Sequence, residues 1–218
     1  MLEVLFPERC AVCARPGSAL CVSCRAGLVR LLPPVCERCG SPGPWPVKRC
    51  AECAGRRLAF ARARSAIVYD ERARALVREW KEGGRRGLAS EAATLVAEVI
   101  RPPEVELLTH VPGDPERAWK RGDVAPRGLA TALSRVWDAR AVDLLRRTRT
   151  LPRQRGLALA DRRRNVRGSI DPTGPSPRTV CLVDDVYTSG ATADACAAAL
   201  RRAGARHVEV VTLARAVR

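Results

Sequence analysis

Asp184 and Asp185 follow the apolar run Val180, Cys181, Leu182, Val183 and precede Thr188, Ser189, Gly190, Ala191 and Thr192. Two adjacent carboxylates repel each other unless a diol donates hydrogen bonds to them or they share a divalent cation. Hydroxyls and a glycine just ahead of a helix surround a small loop with unpaired N–H groups and the positive end of the helix dipole, an arrangement suited to phosphate. A sugar phosphate carrying magnesium meets both demands, so the segment implies ribose hydroxyls on the carboxylates and phosphate in the 188–192 loop. Each residue taken alone is explained as well by a helix cap or a turn; the combination is what points to a ligand.

A second constellation lies near the start of the chain. Eight of the ten cysteines fall into four pairs with two intervening residues: Cys10 and Cys13, Cys21 and Cys24, Cys36 and Cys39, Cys50 and Cys53. Two thiolates at that spacing grip one ion from a tight knuckle, and two knuckles complete a closed tetrahedral zinc site with no position left for catalysis. The gaps between consecutive pairs suit sequential sites, the first two pairs on one ion and the last two on another, with crossed pairing as the alternative. The competing reading is a disulfide framework, which needs an oxidising compartment. The segment is too short and too poor in large apolar residues to fold alone, so about two structural zinc ions would supply its folding energy. Cys181 and Cys196 fall in an apolar strand and an alanine-rich helix and read as small core residues.

The elements that must carry these groups show an alternating order. A strand over 61–69 leads to a helix over 71–81 with Ala73, Leu76, Val77 and Trp80 on one face, ended by Gly83 and Gly84. A second helix, 86–100, stops at Pro102 and Pro103; then follow a strand at 105–111, a helix at 126–137, a strand at 141–145, the apolar strand ending in the aspartates, a helix at 193–203 and a strand at 207–213. The fold class is α/β, a parallel doubly wound sheet with a small amino-terminal zinc-ribbon module. The expected division is 1–58 for the cysteine-rich module and 59–218 for the sheet domain, and the aspartates stand at the carboxyl edge of the sheet, where such folds bind ligands.

Composition sets the bounds. The 218 residues carry a net charge of +16, which attracts anions without choosing among nucleic acid, pyrophosphate and an acidic partner. Lysine occurs only at Lys48, Lys81 and Lys120, and aromatics make up 4%, so any nucleic-acid binding would be mostly electrostatic rather than by base stacking. No apolar run approaches the roughly 20 residues of a membrane span, and no signal-peptide pattern opens the chain, so a cytoplasmic location is expected.

The strand, the Asp184-Asp185 pair and the Thr188-Ser189-Gly190-Ala191-Thr192 loop closely resemble the phosphoribosyl pyrophosphate (PRPP) signature of type I phosphoribosyltransferases. Together with the four cysteine pairs, Lys81-Glu82-Gly83-Gly84, Gln154 and the run Arg164-Asn165-Val166-Arg167-Gly168, nearly the whole chain resembles ComF-type competence proteins. The resemblance implies a type I phosphoribosyltransferase fold, PRPP with magnesium at 184–192, and a role in uptake of single-stranded DNA during natural transformation beside a helicase-type partner. It also implies transfer of the phosphoribosyl group to an unknown acceptor, or, alternatively, a catalytically weak PRPP sensor that binds single-stranded DNA or the helicase. Arg117, Lys120 and Arg121 in the 112–122 loop, and Arg164 in the long basic loop of about 148–171, are the candidates for the pyrophosphate side; the plainer reading of both loops is solvated basic surface. The family's Arg-Gly-Phe-Asn-Gln is here Arg121-Gly122-Asp123-Val124-Ala125, a departure that bears on turnover rather than on binding at 184–192.

Overall fold

The computed structural model describes residues 8–113, 125–148 and 168–217. In chain order the elements are α1 (Val22–Ala26), β1 (Arg62–Val68), α2 (Glu71–Glu82), α3 (Leu88–Val99), β2 (Leu107–His110), α4 (Ala125–Val136), β3 (Leu145–Arg147), β4 (Ile170–Pro172), β5 (Thr179–Tyr187), α5 (Ala191–Arg202) and β6 (His207–Arg215).

Four of the strands form one sheet in the order β1-β6-β5-β2, every neighbouring pair parallel. All four carboxyl ends therefore lie along one edge. The strands alternate between two cores: Val180, Leu182, Val208 and Val210 pack on one face with α5, while Cys181, Val183, Val211 and Leu213 pack on the other with α2, α3 and α4. Burial on both faces is why β5 and β6 read as almost unbroken apolar runs, and the expected parallel α/β sheet is borne out. The four residues expected on the inner face of α2, namely Ala73, Leu76, Val77 and Trp80, are its buried ones.

The cysteine-rich segment wraps the β1 edge of this sheet. Residues between its two halves run antiparallel beside β1: the Leu31 N–H donates to the Ala66 carbonyl at 2.8 Å and the Val68 N–H to the Val29 carbonyl at 2.8 Å. On one side of that edge Cys10, Ala11, Leu20 and Leu28 join the core of α2 and α3; on the other, Cys36, Cys39, Cys53, Leu58 and Phe60 join the core of α5.

Two expectations need correction. The strand expected at 141–145 is not a full member of the parallel sheet. Ala141 makes a single parallel bridge to Leu108, and the chain then turns into β3, which pairs antiparallel with β4 in a separate two-stranded ladder. An isolated apolar run does not specify its pairing direction; β4, which fixes it, falls in a stretch that reads as loop. The strand bearing the aspartates also runs on to Tyr187 rather than ending at the aspartates. Asp184 and Asp185 keep ladder geometry because β6 remains alongside through the Tyr187–Arg215 pair.

The start of α2 is fixed by Asp70, whose carboxylate accepts from the Ala73 N–H at 2.9 Å. Removing such a cap costs about 1 kcal/mol. Asp70→Ala should lower the thermal midpoint by about 2–4 °C in a chain of this size, measured by calorimetric unfolding, and Asp70→Asn should restore most of it.

Candidate functional site

The eight cysteines gather into two clusters, Cys10, Cys13, Cys21, Cys24 and Cys36, Cys39, Cys50, Cys53, each with its sulfurs within 4.8 Å of one another. This is the sequential pairing, and the crossed alternative fails. The ten cysteines are free thiols, so the disulfide framework fails too. Sulfurs at the corners of a tetrahedron with Zn–S bonds of about 2.3 Å stand about 3.8 Å apart. Cys13 and Cys21 are 3.7 Å apart, Cys36 and Cys53 3.6 Å, Cys39 and Cys50 3.5 Å, and Cys50 and Cys53 4.0 Å, which fits two structural zinc ions.

The two knuckles repeat one local design. The Ala14 N–H closes a turn onto the Cys10 carbonyl at 2.9 Å, as the Gly40 N–H does onto the Cys36 carbonyl at 2.9 Å. The Cys21 N–H points at Cys10 Sγ at 3.4 Å, and the Cys50 N–H at Cys36 Sγ at 3.3 Å. Burial by itself would raise the Cys10 and Cys36 thiols, but these backbone donors outweigh it and hold them down to about 6 and about 7. Each half thus offers one thiolate ready for metal near neutral pH.

The carboxylate pair lies at the carboxyl edge of the sheet. Asp185 is 4% exposed and forms an ion pair with Lys81, delivered from the last turn of α2. Burial works against the Lys81 ammonium, but the Asp185 carboxylate outweighs it and raises its pKa. Asp184 Oδ1 accepts from the Asp185 N–H at 2.9 Å. Burial, and then the neighbouring Asp185 charge, push Asp184 up to about 8. Near neutral pH Asp184 is therefore held in its protonated form, beside the Lys81–Asp185 ion pair.

Beyond the pair the chain turns into α5. Gly190 takes φ +71° at the helix start, and no side chain caps it. A Cβ there would lie 2.2 Å from the Tyr187 hydroxyl, so glycine is required by backbone conformation and by space together. Ser189 Oγ is buried beneath the turn and accepts from the Ala191 N–H at 3.3 Å; Thr188 is exposed and Thr192 half-buried. The residues expected at 184–192 thus lie together between the end of β5 and the first turn of α5, where the N-cap residue offers no side chain to the remaining backbone N–H groups. Arg117, Lys120, Arg121 and Arg164 lie outside the described residues.

Three residues join the site that motif reading did not assign to it. Lys81 is 104 positions from Asp185; its signal was scarcity, one of three lysines in a chain that otherwise uses arginine. His110 ends β2 at the same edge, opposite Val183 in the register, with Nδ1 3.4 Å from the Asp143 carboxylate. Arg215 ends β6, wholly buried, with its guanidinium 4.6 Å over the Tyr187 ring. Neither His110 nor Arg215 carries a local sequence signal.

Residues 1–56 match the double zinc ribbon domain family. Over nearly its whole length the chain is similar to DNA utilization protein YhgH of Salmonella typhimurium, 29% identical over 225 residues that cover 96% of this chain and 97% of the relative. It is likewise similar to competence protein F of Haemophilus influenzae, 27% identical over 229 residues covering 97% and 98%. The resemblance to ComF-type competence proteins drawn from the motifs is borne out. Among solved structures, TT1426 of Thermus thermophilus is 18% identical with a TM-score of 0.34 over 58% of this chain and 82% of that one, too loose a likeness to support an argument.

Two measurements check this site. Elemental analysis of chain purified without chelator should give about two zinc ions, four thiolates to each. The Asp184 pKa, raised from an ordinary 3.8 to about 8, means the folded chain keeps a proton that the unfolded chain releases, so stability from this group falls as pH rises from about 4 to 8. Asp184→Asn removes that penalty: relative to the parent it should gain at least about 1 kcal/mol between pH 5.5 and pH 8.5 in denaturant titrations, where a constant difference would refute the raised pKa of Asp184.

Proposed function

We propose that the carboxyl edge of the sheet binds PRPP or a closely related ribose phosphate, with Asp184 and Asp185 taking the ribose hydroxyls and the 188–192 turn the 5′-phosphate, and that the protein acts in DNA uptake. One observation carries the ligand reading. A carboxylate pair, Asp185 buried against a lysine and Asp184 half-buried and held protonated, stands directly before a helix start whose N-cap glycine offers no side chain and leaves no room for a Cβ. Structural turns have no need of that combination, whereas a diol beside a phosphate uses every part of it. The relatives' names and the net charge of +16 support work on DNA, through phosphate contacts for the most part.

On this reading an acceptor nucleophile attacks the anomeric carbon, the bond from that carbon to the pyrophosphate oxygen breaks with its electron pair, and the ring passes through an oxocarbenium-like state. The aspartates hold the ribose in place and the turn anchors its phosphate, so the chain contributes by orientation and charge rather than by a covalent intermediate. Magnesium carried with the pyrophosphate would offset charge on the leaving group. Asp184 must release its proton to take a cation-bearing ligand, so affinity rises with pH up to about 8.

Calorimetric titration with PRPP and magnesium should show one site, about one proton released at pH 7, and affinity several-fold higher at pH 8 than at pH 6.5. Asp185→Asn and Gly190→Ala should each cost at least about tenfold in affinity. Full-strength binding in both variants would move the ligand elsewhere. Pyrophosphate release across bases, nucleotides and single-stranded DNA then tells a transferase from a sensor.

A further inference from the structure

We infer that Arg215 is a positioning residue shared by the second zinc site and the ribose-phosphate turn, so that metal at Cys36, Cys39, Cys50 and Cys53, but not at the first site, supports ligand binding at 188–192. The inference rests on the ribose-phosphate reading for its ligand, and on geometry alone for the coupling.

The guanidinium of Arg215 is 0% exposed. One nitrogen donates to the Cys39 carbonyl at 2.8 Å; the other lies 3.8 Å from Cys39 Sγ and donates to Glu52 Oε2 at 2.6 Å. Glu52 in turn accepts from the Ser41 hydroxyl at 2.9 Å, next to the knuckle glycine Gly40. The same guanidinium lies 4.6 Å over the Tyr187 ring, which also meets Phe60 edge to face at 6.4 Å. Tyr187 is 3% exposed, and its hydroxyl stands where a Gly190 side chain would have to go. A continuous line of contact therefore runs from a metal-ligating sulfur, through one cation, to the ring beneath the phosphate turn.

The residues fit this role chemically. Four thiolates on one divalent ion leave the second site net negative, and a donor to a ligating sulfur both fixes that ligand and offsets the charge. The reverse also holds, because a fully buried guanidinium is retained only with compensating charge around it, supplied here by Glu52 and Cys39. Two polar atoms at this junction, Arg215 Nε and the Tyr187 hydroxyl, are buried without a hydrogen-bond partner. Such a junction is marginally satisfied, and its geometry depends on what holds the guanidinium in place. The first site lacks any such link to the turn among the described residues: it meets the rest of the chain through apolar contacts of Cys10, Ala11, Leu20 and Leu28 with the core of α2 and α3, and through Arg25 and Arg30 on Glu91 and Glu98.

The test uses full-length, zinc-loaded chain and reads metal, backbone and ligand separately. In Arg215→Gln, one of two zinc ions should transfer to a colorimetric chelator about tenfold faster than in the parent, the other at the parent rate. Amide hydrogen exchange over 187–191 should accelerate about tenfold in the same variant. PRPP affinity should fall at least about fivefold, whereas Cys13→Ser, which disables the first site, should leave exchange at 187–191 unchanged. Glu52→Gln, at a partly exposed carboxylate, gives the same direction with a smaller effect and serves if Arg215→Gln does not fold. Unchanged zinc release and unchanged exchange in both variants would overturn the inference. If zinc release and exchange respond but the parent does not bind PRPP, the coupling stands and the ribose-phosphate reading fails.

Discussion

A guanidinium removed from water costs several kcal/mol unless acceptors and opposing charge surround it, and Arg215 is such a group. Its acceptors come from the cysteine-rich segment, its stacking partner from the end of β5, and its own backbone from the end of β6. Three parts of the chain that are far apart in sequence are thereby fixed against one another at the carboxyl edge of the sheet. Separating the ribbon from the sheet would leave a buried cation without its carboxylate, so the ribbon is held by electrostatics as well as by the apolar contacts of Cys36, Cys39, Leu58 and Phe60.

The two ribbons are alike inside and different outside. Both use the same knuckle turn and the same N–H to sulfur contact, since each has to bend four thiolates toward one ion. Their docking differs in kind. The first is joined by apolar contacts of Cys10, Ala11, Leu20 and Leu28 with α2 and α3, and by ion pairs between partly exposed side chains, which contribute little in water. The second is joined by a fully buried cation, where removing either partner is costly. Repetition of a fold element thus does not imply repetition of its role: both halves reach the core, and among the described residues only the second is tied through a buried cation to the Tyr187 ring.

How much was legible follows from how local each signal is. A pair of cysteines separated by two residues contains its own geometry, and so does an aspartate pair followed by small polar residues and a glycine. The cysteine pairs come together as expected. The pairing of β3 with β4 was not legible, because Ile170 to Pro172 carries no strand pattern and acquires one only against Leu145 to Arg147. Nor was the contact of Arg215 with Cys39, 176 positions away, since one arginine among many gives no sign that it alone is buried. The extent of β5 was misread for a related reason: carboxylates look like the end of a strand, and only a parallel neighbour that continues alongside keeps them in it.

The choice of lysine at position 81 closes the electrostatic account of the site. An arginine there would offer a planar fork able to hold a carboxylate by two parallel hydrogen bonds, and such a pair yields slowly to a competing ligand. Lysine offers a compact charge on a flexible stem. It pairs with Asp185 beside the protonated Asp184, and on the proposed reading it can withdraw without breaking a bidentate geometry when a ligand's hydroxyls compete for the carboxylates. In a chain that otherwise favours arginine, a lysine at the last turn of α2 is what a site needs if its counter-charge must hold the carboxylates apart from water and still give way to a ligand.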